Sequence, residues 1–305
     1  MDRLRQVEVF VSVCEAGGLA AGARRLNLSP PVATRAVAAL EARLGARLLH
    51  RTTRAVRITE AGERYLAGAR AALAALDEAD ATAAGEGAAP RGRLVVAAPV
   101  VFGRVHAAPL VSAYLAAHAG ASAELRLSDR VADLVEEGVD VALRIGALPD
   151  AAGLVARRLG QTRRVLVASP AYLAARGAPA RPEDLAAGGG HEVVAFAGLA
   201  PGPEWRFSTP PGASGEHRVR VAPPRFATDS ADAALAAARD GRGIAPALGY
   251  QVADDLDAGR LRLVLEAYEP PPRPVHAVFA ATRLLSAKVR RFVDAAVAAS
   301  RGWRL

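Results

Sequence analysis

Between Leu19 and Thr59 the chain changes its local signals so often that few folds can hold it. An alanine-rich stretch from about Ala20 to Leu26 reads as a short helix, and Asn27 and Leu28 make a turn. Ser29-Pro30-Pro31 then opens another helix. Serine is a favoured N-cap, and proline suits the first turn, where backbone N–H groups have no intrahelical partner. Ala33, Val37, Leu40 and Leu44 recur four, three and four apart and predict one buried face. Past Gly45, the run from Arg47 to Arg57 reads as a small basic hairpin. Val56 and Ile58 alternate with Arg57 as in a half-buried strand, and Arg51 to Ala55 form the expected tip. Upstream, Asp2 caps a helix that carries Leu4, Val7, Phe10, Val11 and Cys14 at helical spacing and ends at Gly17-Gly18.

The opposite side of the Ser29–Leu44 helix presents Pro31, Thr34, Arg35 and Ala38. That surface is small and hydrogen-bonding, and one arginine projects from it. A helix lying deep in the DNA major groove needs such a surface, because bulky side chains hold it off the base edges. The whole pattern predicts a winged helix-turn-helix. Its candidate DNA contacts are Ser29, Pro30, Pro31, Thr34 and Arg35 on the helix and Arg51, Thr53 and Arg54 on the wing. Charge follows the same lines. Residues 1–58 hold ten arginines and four acids, a net +6 of the chain's +8, as counterion release at phosphates requires.

Thr59 caps the next helix, with Glu60 and Glu63 in its first turn, where acids suit the helix dipole. It is expected to run to about Ala84, or about 39 Å. Its stripe of Tyr65, Leu66, Ala69, Leu73, Leu76 and Ala79 is more than a lone helix can bury. The first five are the candidate dimerisation residues, facing the same helix of a second chain. Packing on the chain itself is the alternative. Gly85 to Gly92 reads as a hinge.

From Arg93 strands alternate with helices: "RLVVAAP", a helix from about Phe102 to Ala117, "AELRL", the helix "VADLVEEGV", "DVALRIG", "RRVLVAS", the Pro170 helix, "EVVAF", "RFAT", a helix from Ser230 to Asp240, "GIAPAL", "VHAVF" and a helix from Ser286 to Ser300. That order predicts an α/β domain with mainly parallel sheets. Two lobes fit: 93–162 with 268–305, and 163–267. The expected organisation is a DNA-binding domain over 1–58, a linker helix over 59–84, a hinge over 85–92 and an effector domain over 93–305.

The segment "FVSVCEAGGLAAGARRLNLSPPVATRAVAALEARLGARLLHRTTRAVRITEAG", Phe10 to Gly62, resembles without gaps the N-terminal domain of LysR-type transcriptional regulators. "LVEEGVDVALRIG" and "SADAALAAARDGRGIA" resemble that family's two-lobed effector domain, which has a periplasmic-binding-protein-like (type 2) architecture. The resemblance implies that Pro31, Thr34 and Arg35 face bases, that Arg54 lies near the minor groove, and that the linker helix pairs two subunits. Three departures stand out. Gly18-Leu19 replaces serine then phenylalanine, Pro30 replaces a frequent glutamine, and Val32-Ala33 inverts the usual alanine then valine. The last puts a smaller side chain on the core face of the helix.

A cleft between lobes is the expected ligand site, walled by strand ends and by helix N-termini that attract anions. Its candidate residues are Ala98, Pro99, Val100, Ser128, Arg144, Gly146, Thr228, Asp229 and Ser230. The hydroxyls are expected to orient a small polar ligand and Arg144 to anchor a carboxylate. Asp129 and Asp229 are expected N-caps, and Phe196 an expected core residue. The six histidines show no metal-ligand spacing, and no catalytic constellation or phosphate loop appears, so neither cofactor nor metal nor enzymatic activity is expected. Cys14 is the one cysteine, which excludes an internal disulfide and a disulfide-based redox sensor. No apolar run long enough to cross a membrane and no hydrophobic signal core are read, so a cytoplasmic protein is expected.

The combined reading is a bacterial, effector-responsive DNA-binding regulator, a homodimer or homotetramer on a double-stranded operator, with RNA polymerase as a further partner. Its small-molecule effector is expected to be a carboxylate or an aromatic. Two alternatives stay open: an architectural DNA-binding protein without effector, and an α/β enzyme tethered by the helix-turn-helix.

Overall fold

The computed structural model describes residues 1–51, 56–83, 89–130, 134, 137–148, 153–209, 216–281 and 286–305. The first three helices are α1 (Arg3–Glu15), α2 (Leu19–Arg25) and α3 (Pro30–Leu44). Asp2 caps α1 by accepting the Arg5 backbone N–H at 2.8 Å. Strands β1 (Leu49–Arg51) and β2 (Val56–Ile58) then pair antiparallel. They share one core in which Val9, Phe10, Val13, Ala23, Ala33, Val37, Leu40, Leu48 and Leu49 are almost wholly removed from water. The small Ala33 seats against this core without exposure.

Two contacts fix the packing. A Cβ on Gly22 would stand 2.6 Å from the Val13 Cα, so only glycine lets α2 approach α1 this closely. The Glu41 carboxylate accepts the backbone N–H groups of Leu48 and Leu49 at 2.9 and 3.1 Å, tying α3 to the wing. Leu44, expected in the buried face, is 37% exposed. The helical repeat carries the stripe to Ala36 instead, and Gly45 ends α3 in a left-handed turn at φ 64°.

Helix α4 (Glu60–Ala83) has 24 residues and spans about 36 Å. Thr59 caps it, accepting the Gly62 N–H at 2.9 Å and donating to the Arg47 carbonyl at 2.7 Å. Part of the expected pairing stripe is engaged within the chain itself. Ala69 is buried in the core of the first three helices, and Tyr65, Leu66 and Leu73 pack against it. The Tyr65 ring meets Phe10 edge-on at 5.6 Å. Because α4 follows directly from the wing, its first turns lie over α1 and spend their apolar face there. Leu76, further along, is 41% exposed.

The remaining chain begins with β3 (Gly92–Ala98) and a long helix α5 (Val100–Ala117), which contains one π turn over Gly103–Ala107. There follow β4 (Ala121–Leu127), β5 (Val141–Ile145), β6 (Leu154–Thr162), β7 (Arg164–Ala168) and α6 (Pro170–Arg176). Next come β8 (Val194–Phe196), β9 (Glu204–Ser208), β10 (Glu216–Arg220), β11 (Phe226–Thr228) and α7 (Ala231–Arg239). The last elements are β12 (Ala245–Leu248), α8 (Gly249–Asp257), β13 (Arg262–Val264), β14 (Arg273–Ala280) and α9 (Ala287–Ser300).

Two sheets organise these elements. In the first, ordered β4-β3-β5-β14-β6, β3 runs parallel to β4 and β5, and β14 runs antiparallel to β5 and β6. In the second, β7 lies between β12 and β13, antiparallel to both. Parallel β8 and β11 join that sheet through the Val193–Ile244 bridge. The expectation of mainly parallel sheets is therefore corrected. β7 and β14 each enter their sheet by crossing from the other one, not through a covering helix, and so arrive reversed. The chain crosses between Thr162 and Arg164 and returns between Val264 and Arg273. The segment expected to form the helix over 131–139 falls largely outside the described residues.

One further expectation changes. Helix α5 is long and apolar enough, by length and composition, to cross a membrane. Here Phe102, Ala107, Leu110, Val111 and Tyr114 pack into the core of the first sheet. Beside it, with Phe292 5.6 Å from the Tyr114 ring, α9 buries Val289, Phe292, Val293 and Ala296 in the same core. The half-buried Lys288 ammonium donates to Asp140 at 3.0 Å and to the Arg93 carbonyl at 2.6 Å. Cys14 is half-buried, and desolvation pushes its thiol up to about 11.

Candidate nucleic-acid interface and ligand cleft

The outward surface of α3 is built by its N-terminus. Ser29, Pro30, Pro31, Arg35 and Ala38 are exposed, and Thr34 is partly exposed. The backbone of Ser29 is extended, as at an N-cap, but its hydroxyl makes no capping bond. Its carbonyl instead accepts the N–H groups of Val32 and Ala33 at 3.0 and 3.1 Å. Thr34 donates its hydroxyl proton to the Pro30 carbonyl at 2.9 Å. Arg35 has no carboxylate partner among the described residues. Arg51 ends β1 opposite Val56 and so belongs to the ladder, not to the tip where it was expected. Thr53 and Arg54 lie outside the described residues.

The strand ends of the two lobes form a second constellation. The Ala98 carbonyl accepts the Ser128 N–H at 3.0 Å, and Asp129 accepts the Val100 N–H at 3.0 Å. Asp129 thus caps α5 from the neighbouring loop. The Ser128 hydroxyl accepts from the Arg130 N–H at 3.2 Å. In the other lobe Thr228 accepts the Ser230 N–H at 3.1 Å, and Ser230 accepts the Ala233 N–H at 3.3 Å. Ser230, not the expected Asp229, is therefore the N-cap of α7. A hydroxyl committed to capping keeps one lone pair for a ligand.

An ion pair that sequence reasoning missed shows how these loops stand. Arg104, one turn along α5 from Val100, reaches Asp232 in the first turn of α7 at 3.1 Å. The start of α5 and the start of α7 therefore face each other across the lobes. Pro99, Val100, Ser128, Asp229 and Ser230 are all at least partly exposed at this meeting place. Nothing in the sequence signals a pair 128 positions apart.

Arg144 and Gly146 sit differently. The Gly146 N–H donates to the Pro274 carbonyl at 2.8 Å, closing β5 onto β14. Arg144 is half-buried opposite His276, and Arg158 flanks that histidine on the other side. These three make a basic row across the sheet. Burial, with the Arg158 charge, lowers the His276 pKa.

One turn further along α5 lies an aromatic cluster. His106, on the π turn of α5, packs 4.9 Å from Phe102, 5.7 Å from Tyr250 and 4.9 Å from Trp303. The residue is 8% exposed, and its Nε2 has no hydrogen-bond partner among the described residues. Desolvation lowers its pKa to about 4 and raises that of Tyr250. Both lobes contribute to this cluster, and their cores form one continuous apolar body.

A winged helix-turn-helix with one face of its third helix exposed, followed by two α/β lobes whose helix starts face each other, is the architecture of a ligand-responsive DNA-binding regulator. Comparison with known proteins agrees across the chain. Residues 4–63 match the bacterial regulatory helix-turn-helix protein family of the lysR type, and residues 87–301 match the LysR substrate binding domain. An HTH-type transcriptional repressor of Pseudomonas aeruginosa is 35% identical over 295 residues, covering 96% of this chain and 91% of that protein. The HTH-type transcriptional activator AaeR of Escherichia coli is 31% identical, covering 96% and 93%. Among solved structures, full-length CrgA of Neisseria meningitidis superposes with a TM-score of 0.61 at 28% identity, covering 98% and 99%. AphB of Vibrio cholerae does so at 0.60 and 26%, covering both chains entirely. The chain belongs to the LysR family of transcriptional regulators, with a DNA-binding helix-turn-helix and an effector-binding domain.

Proposed function

We propose that this regulator reads its operator with the outward surface of α3 and holds the duplex backbone with its wing. Ser29, Pro30, Pro31, Thr34 and Arg35 meet base edges and flanking phosphates, and Arg51, Thr53 and Arg54 grip the backbone or the minor groove. The observation that carries this reading is the division of one helix. Ala33, Val37 and Leu40 are fully buried while Pro30, Pro31 and Arg35 are exposed. Two chains joined through α4, with Leu76 in the seam, would present two such surfaces to two half-sites.

The cleft between α5 and α7 takes a small effector. Exposed hydroxyls at Ser128 and Ser230, the N-termini of two helices and the apolar Pro99 and Val100 favour a small carboxylate or aromatic. The effector acts by binding one arrangement of subunits better than another, which alters operator geometry and access by RNA polymerase. This assigns the chain a cytoplasmic role with no catalytic step.

Selection from a random duplex pool, followed by thermal unfolding against a panel of small carboxylates and aromatics, tests the reading. One duplex class should enrich, and at least one ligand should raise the unfolding temperature by mass action. Enrichment without any stabilising ligand would favour an architectural protein. Turnover of a cleft ligand would favour the tethered enzyme.

A further inference from the structure

We propose that the C-terminal segment Trp303–Leu305 is a strap that ties the two lobes together and sets the angle between them. Helix α9 belongs to the first lobe, and the chain leaves it at Ser300. Three consecutive residues beyond then touch both lobes. The Trp303 ring lies 4.9 Å from His106 and 5.5 Å from Phe102 on α5 of the first lobe. Those rings in turn meet Tyr250 of the second lobe at 5.7 and 5.4 Å. Arg304 next makes two hydrogen bonds to Asp257 on α8 of the second lobe, at 2.6 and 3.1 Å. Leu305 returns to the first lobe. Its Cδ1 would be 2.5 Å from a Cβ on Gly160 of β6, so the strand has kept that space open for it. Its backbone carbonyl carbon and oxygen also pass 3.6 and 3.5 Å from where a Cβ on Gly249 of the second lobe would stand.

The mechanics follow from topology. Two chain crossings, at 162–164 and 264–273, leave the lobes a hinge axis about which to rotate. A third tie, packed beside the first crossing where Arg163 lines the same groove, stiffens that joint. The Arg104–Asp232 pair holds the cleft side, and the strap holds the side of α8. The strap's seat is not closed. A groove of about 180 Å³ is lined by Arg304 and Leu305 together with Arg163, Leu256 and Leu263, so the strap has room to shift as the lobes move.

Pulsed spin–spin distance measurement between the lobes tests this on the full chain. Labels are placed at Asp294→Cys on α9 and Ala171→Cys on α6, both exposed, in a Cys14→Ala background, with labelled chains diluted tenfold in unlabelled protein. The parent should give one narrow distance distribution. A chain ending at Gly302 should give one at least twofold broader. Arg304→Glu should broaden it too, and the charge-swapped pair Asp257→Arg with Arg304→Glu should narrow it again. Unchanged widths in the shortened chain and in Arg304→Glu would overturn the strap. If the shortened chain fails to fold, Leu305→Ala and Arg304→Glu carry the same test: broadening in either supports it, and parental widths in both overturn it. No duplex or effector is needed, so failure here leaves the regulator reading intact.

Discussion

Replacing His106 with leucine should remove about 2 kcal/mol of the stability that the two-lobed domain loses between pH 7 and pH 5. Among the described residues, the buried ring has an unpartnered Nε2 between Phe102, Tyr250 and Trp303, and the Tyr250 phenol is the one titratable neighbour in ring contact. Its pKa falls from 6.5 to about 4. The unfolded chain therefore takes up a proton between those values that the folded chain refuses, and stability falls as pH drops through this window. A shift of that size corresponds to about 3 kcal/mol in full, with about 2 kcal/mol already lost by pH 5. Above pH 6.5 the contribution is fully present. Urea titrations at pH 7 and pH 5, followed by tryptophan fluorescence, read this directly because Trp303 packs on the ring. The loss between the two pH values should be about 2 kcal/mol smaller in His106→Leu than in the parent. Equal losses in both proteins would refute the assignment.

Three further outcomes are expected. Gly22→Ala forces a Cβ to within 2.6 Å of the Val13 Cα. It should cost about 1–3 kcal/mol in unfolding of the N-terminal domain, as overpacking does, and weaken duplex binding with it. Lys288→Met strands the Asp140 carboxylate, which is 4% exposed, without its ammonium. Thermal and urea unfolding should show about 3–5 kcal/mol of destabilisation. Leu76→Glu, on the exposed part of α4, should shift sedimentation toward monomer while leaving circular dichroism unchanged; an unaltered assembly would remove Leu76 from the seam.

Much of the DNA-binding half was legible because its signals are local. Asp2, Gly45 and Thr59 act within one turn of themselves, and the spacing of Ala33, Val37 and Leu40 gives the buried face directly. Leu44 misled because an apolar residue at the right interval can still fall past the end of the core. In the second half, β6 was hidden by Arg157 and Arg158. It is an edge strand, and edges tolerate charge that central strands do not. The alternation in Glu204–Ser208, with Trp205 and Phe207 buried, was present but short. Tertiary facts left no local trace. Neither the Arg104–Asp232 pair nor the return of Leu305 to Gly160 has a sequence period. The α4 stripe reads the same whether Tyr65 and Ala69 meet a second chain or, as here, their own α1.

The account stands on α3 reading bases, and Arg35 is its sharpest probe. Binding of the parent and of Arg35→Ala should be measured by titration on the enriched duplex and on a random duplex at one salt concentration. The predicted result is a loss of about 1–3 kcal/mol on the enriched duplex with little change on the random one. Equal weakening on both duplexes, or none on either, would contradict base reading by this helix.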